Sequence, residues 1–93
     1  MSVTEIKSKV LPVLRKHRVD RASLFGSVVR GEDTPGSDID LLVEMPPEAS
    51  LLDLAGLKLD LEELLDREVD VVTYRSLHPL LRDRILAEQQ PIL

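Results

Sequence analysis

The 93-residue chain carries 12 basic and 17 acidic side chains, a formal net charge of −5, and only Phe25 and Tyr74 as aromatic residues. That acidity argues against a long nucleic-acid groove, which needs a surplus of Lys and Arg facing phosphates, and the absence of cysteine excludes disulfides and thiolate metal sites. No apolar run approaches bilayer length and Met1 to Val10 lacks a signal-peptide core, so the expectation is one domain over residues 1–93, cytoplasmic and without membrane contact.

Val3, Ile6, Val10 and Leu14 recur at helical spacing, which predicts a first helix over Val3 to His17, capped by Ser2 or Thr4 and kinked at Pro12. Its basic end, Arg15 to Arg18, suits the negative pole of a helix dipole. Ala22 to Gly26 reads as a short strand, and Gly26-Ser27 turns it into a short helix or turn through Gly31. Glu32 to Ser37 is dense in turn formers and predicts an exposed loop. Asp38 to Glu44 becomes fully apolar at Leu41-Leu42-Val43, as a central strand does, and Met45-Pro46-Pro47 stops it.

Ser50 to Asp66 is a second long helix, with Leu51, Leu54, Leu57, Leu61, Leu64 and Leu65 at helical spacing and read as core, and Ser50 with Asp53 resembling a capping box. Glu68 to Thr73 is a third, β-branched strand. Ser76 or His78 starts a last helix, with Pro79 in its first turn and Leu81, Ile85 and Leu86 facing inward. Gln89 to Leu93 adds an edge strand or frays. The order predicts an α/β (α+β) fold: a small mixed sheet of three to four strands with helices mainly on one face. The second and third strands, joined by a helical crossover, should be neighbours.

The chemistry concentrates between Leu24 and Val43. Asp38 and Asp40, two apart at the head of a strand, point to one face, and Asp70 joins them if the third strand lies beside the second. Same-facing acids repel unless a cation or an arginine offsets them. Phosphoryl and nucleotidyl transfer need a cation across the phosphates, and Mg²⁺ prefers hard oxygen ligands. Gly26-Ser27 suits a phosphate grip, because glycine lets the backbone approach while amides and a hydroxyl donate near a helix start. Arg30 could bind a phosphate or pair with one of the acids. His17 and His78 read as structural, and Tyr74 as a half-buried anchor that could also stack on a base.

Gly26-Ser27, ten residues, then Asp38-x-Asp40 resembles the signature of the polymerase-beta-type nucleotidyltransferase superfamily. The form LFGSVVRGEDTPGSDIDLLV, the leucine-rich middle helix and the later DVVT strand are similar to the minimal nucleotidyltransferases in particular. The resemblance implies ATP as substrate, Mg²⁺ on Asp38, Asp40 and Asp70, and a nucleotide held by Gly26, Ser27, Arg30 and Ser37. It also implies that Asp70 helps to activate the attacking hydroxyl. The implied partner is a HEPN-domain ribonuclease toxin, whose tyrosine hydroxyl takes AMP and which completes the site that larger superfamily members build with an extra domain. Two other readings stand beside it: an antitoxin that neutralises its partner by occlusion alone, and an enzyme modifying a small molecule. A homodimer or hetero-oligomer is compatible with each.

Overall fold

Both long helices begin on a serine. The computed structural model describes all 93 residues, Met1–Leu93. In α1 (Val3–Lys16) the Ser2 hydroxyl accepts the Glu5 amide while the Glu5 carboxylate accepts the Ser2 amide. In α2 (Leu51–Leu65) Ser50 and Asp53 make the same reciprocal pair. Each box satisfies two amides that a helix start otherwise leaves without partners. Pro12 lies inside α1, and Asp66 ends α2 in the left-handed region at φ 52°.

β1 (Arg21–Phe25) pairs antiparallel with β2 (Ile39–Glu44), and β2 pairs parallel with β3 (Val69–Thr73). The tail forms β4 (Gln90–Pro91), antiparallel on the free edge of β1, so the sheet order is β3-β2-β1-β4. The neighbour relation of the second and third strands is as the crossover predicted. Ile6, Val10 and Leu14 of α1 and Leu57, Leu61 and Leu65 of α2 meet Ala22, Leu24, Leu41, Val43 and Val69 in one buried cluster. A buried leucine of this kind contributes about 2 kcal/mol. Ser23 and Leu42 are buried too but alternate to the other face of the sheet, the face to which Asp40 also points. No helix is long and apolar enough to cross a membrane.

Three expectations are corrected. Leu51 and Leu64 are 84% and 43% exposed, because the buried stripe of α2 runs at a spacing of four through Leu57, Leu61 and Leu65. Leu81, expected to face inward from α3 (Pro79–Glu88), is 49% exposed, and Ile85 and Leu86 are only half-buried. α3 is fastened by polar contacts instead: His78 caps it through Nδ1, Arg82 reaches the Tyr74 carbonyl at 3.3 Å, and Glu88 reaches Gly26. Lastly, Gly26 belongs to a single 3-10 turn (Gly26–Val28) rather than to β1, because its φ of 80° leaves the extended region.

Candidate active site

The parallel register places Asp40 opposite Asp70, so their side chains leave the same face of adjacent strands. Asp38 precedes β2 by one residue, with buried Ile39 between it and Asp40. Asp40 is half-buried while Asp38 and Asp70 are exposed. Partial burial, followed by the charges of Asp70 and Asp38, pushes the Asp40 carboxyl up to about 6, with Arg30 opposing and Glu88 adding to the rise. That order of causes shows several like charges converging on a partly desolvated carboxylate.

The second half of the site follows from the other pairing of β2. Phe25 is the register partner of Asp40, so the chain leaves β1 directly beside it. A Cβ on Gly26 would collide with the Asp40 carboxylate, and φ 80° is open to glycine at little cost. Glycine is therefore needed here for backbone conformation and for close approach. The Gly26 amide donates to Glu88 Oε1 at 2.8 Å, and Arg30 donates to the same oxygen at 2.7 Å and to Glu32 at 3.1 Å. Arg30 thus lies within reach of Asp40 electrostatically but is hydrogen-bonded to other acids.

Two further devices fix where these strands begin. Arg67 grips Asp33 with both terminal guanidinium nitrogens, at 3.0 and 2.6 Å, and donates to the carbonyls of Thr34 and Ser37. The N-terminal ammonium adds a contact to Asp33 at 2.9 Å. These hydrogen bonds hold the Asp33 carboxyl well below its ordinary range. The Ser37 hydroxyl is engaged within the loop, with Thr34 and Asp33, so its observed part is to shape the turn before Asp38. The loop is exposed as expected, and Arg67 clamps it. On the outer edge of β3, Glu62 accepts the Val69 amide at 3.0 Å and Lys58 donates to the Val69 carbonyl, covering an edge that would otherwise be unpaired next to Asp70. The Val69 amide, with help from Lys58, holds the Glu62 carboxyl below its ordinary range.

Other candidates fall to structural roles. His17 bonds Asp60 at 2.7 Å and ties α1 to α2. The Tyr74 hydroxyl meets Ser23 at 3.3 Å and Gln89 at 3.1 Å while Arg21 stacks 4.3 Å from its ring, four residues or about 13 Å along the strand from Asp70. Glu88, Arg67, Lys58 and Glu62 were not singled out from sequence. Each acts across 7 to 62 residues of chain, and no local pattern marks such partners.

Hard oxygen donors with excess negative charge, one of them partly desolvated, suit a divalent cation of the Mg²⁺ type. No group of three acidic or histidine side chains closes to metal-ligand distances. Like-charged carboxylates close on one point only when a cation offsets their repulsion. None of the three surface hollows is lined by Asp38, Asp40 or Asp70; Asp38 and Asp70 face solvent while Asp40 lies half-buried between them and Gly26.

Residues 7–92 match the family model of the nucleotidyltransferase domain. A Methanocaldococcus jannaschii protein, named as a candidate protein adenylyltransferase, is 57% identical over 93 residues, covering 100% of both chains. Among solved structures, a candidate minimal nucleotidyltransferase superposes with a TM-score of 0.84 at 42% identity, over 98% of this chain and 96% of that one. A chain of a toxin-antitoxin complex with AMP-PNP superposes with a TM-score of 0.81 at 26% identity, over 94% of this chain and 72% of its own.

Proposed function

This chain belongs to the nucleotidyltransferase domain family, and on that premise we propose that it is a minimal protein adenylyltransferase acting as an antitoxin. In this reading it transfers AMP from ATP to a tyrosine hydroxyl of a HEPN-domain ribonuclease toxin and releases pyrophosphate. The observation that carries the proposal is the register of Asp40 with Asp70, beside Asp38 and directly against Gly26. The likeness to a chain solved in a toxin-antitoxin complex with AMP-PNP supports the nucleotide and the kind of partner.

Asp38, Asp40 and Asp70 would hold Mg²⁺. Held there, the cation would supply positive charge to offset the negative charge that develops on the triphosphate. The Gly26 and Ser27 amides and the Ser27 hydroxyl hold the β and γ phosphates, with Arg30 beside them. Ser37 shapes the turn that presents Asp38. Asp70, at the exposed edge of the site, orients the acceptor hydroxyl and takes its proton. The acceptor oxygen then bonds the α-phosphorus as the bond to the β-phosphate bridge breaks, and the electron pair leaves with pyrophosphate. The exposure of Asp38 and Asp70 leaves them accessible to an acceptor carried by another protein.

Incubation with labelled ATP, Mg²⁺ and the HEPN partner should label the partner, and Asp38→Asn with Asp40→Asn should abolish the label with the fold retained. An unlabelled yet fully inhibited partner would count against the proposal. Leu51, Leu52 and Leu80, each more than 80% exposed, favour a second reading in which binding alone neutralises the toxin. Neutralisation by the double Asn variant in co-expressing cells would support that alternative.

A further inference from the structure

Glu88 closes α3, and its side chain is only 15% exposed although the helix buries no residue of its own. One of its oxygens takes the Gly26 amide and the Arg30 guanidinium together. These are the same donors assigned above to the nucleotide's phosphates. An anionic oxygen accepting a backbone amide and an arginine has the charge and the hydrogen-bond pattern of a phosphate oxygen. Its position is set by the sheet: β4 pairs Gln90 with Leu24, which brings Glu88 level with the end of β1 where Gly26 turns. An internal carboxylate held this way meets the amide at high effective concentration and needs no partner molecule.

Building on the nucleotide reading of the Gly26–Ser27 turn, we propose that the Glu88 carboxylate occupies the phosphate seat and is displaced by the incoming triphosphate. Glu88 then sets nucleotide affinity by competition. In its absence the Gly26 amide and Arg30 stand ready for phosphate, with Arg30 still held by Glu32. Glutamine at this position keeps an oxygen for the Gly26 amide but loses the charge that holds Arg30, so it competes less than Glu and more than Ala.

ATP titrated calorimetrically with Mg²⁺ present tests this on the full chain and on Glu88→Gln and Glu88→Ala, with far-UV circular dichroism verifying each fold. The expected affinity order is Ala above Gln above Glu, with Ala roughly tenfold tighter than the unaltered chain, the scale of one competing charge-assisted hydrogen bond. Equal tightening in the Gln and Ala variants would show only a removed charge and would overturn the seat. Unchanged or weaker binding in both would also overturn it while leaving the nucleotide reading in place. If no variant binds ATP, the unaltered chain included, the nucleotide reading fails and the competition with it. Should Glu88→Ala not fold, Glu88→Ser takes its place, with tighter binding than Glu88→Gln in favour and binding equal to or weaker than Glu88→Gln against.

Discussion

At the scale of single residues, the site is defined by conflict that the fold tolerates. Asp40 sits partly out of water among other acids, and its carboxyl rises from an ordinary 3.8 to about 6. The folded, metal-free protein therefore binds more protons than the unfolded chain between those values. Its stability should fall as pH rises from about 4 to about 6, with the full cost present above that. Asp40→Asn removes the conflict, so urea denaturation of the metal-free protein at neutral pH should show a gain of about 1 kcal/mol, reduced from the bare shift because the group is half in solvent. A loss of stability would mean that the carboxylate has a partner worth more than its repulsions. Gly26 bears the opposite sign. Gly26→Ala forces a side chain into the left-handed region against Asp40, and the same denaturation should show a loss of about 1–3 kcal/mol.

At the scale of elements, strand starts matter more than helix faces. Arg67 and Asp33 are 10% and 9% exposed, and the pair joins the end of α2 to the loop that delivers Asp38. Asp33→Asn should cost about 2 kcal/mol in thermal or urea unfolding, below the value of a fully buried pair because the loop around it is exposed. Because the Asp33 carboxyl is held below its ordinary value, its contribution is present above about pH 4 and is lost as pH falls below that. Amide exchange over residues 33–38 should quicken in Asp33→Asn, and an unchanged exchange pattern would show that the turn holds its own shape. Much of this scale was legible in advance. Helix starts at Ser2 and Ser50, the strand ahead of Met45-Pro46-Pro47 and the third strand before Tyr74 all carry local signals. The burial of α3 was not legible, because Leu81, Ile85 and Leu86 have helical spacing, yet the helix buries none of them fully. The clamp by Arg67 and the cover of β3 by Lys58 and Glu62 join residues distant in sequence, and a charge pattern alone does not name its partner.

At the scale of the whole molecule, one sheet performs the assembly. Antiparallel β1 sets Gly26 against Asp40, the parallel neighbour β3 sets Asp70 opposite it, and β4 brings Glu88 onto Gly26. The helical crossover that makes β3 a neighbour of β2 could be anticipated from element order, and with it the meeting of Asp70 and Asp40. The Glu88 contact could not, since β4 is a two-residue strand within a tail whose pairing no periodicity announces. The central claim is that β3 supplies the third carboxylate of a transfer site. The most direct measurement is the single-turnover rate of AMP transfer to the proposed HEPN partner by Asp70→Asn, with circular dichroism and urea unfolding confirming its fold. A loss on the order of 10³-fold is predicted, and transfer at near the unaltered rate would contradict it.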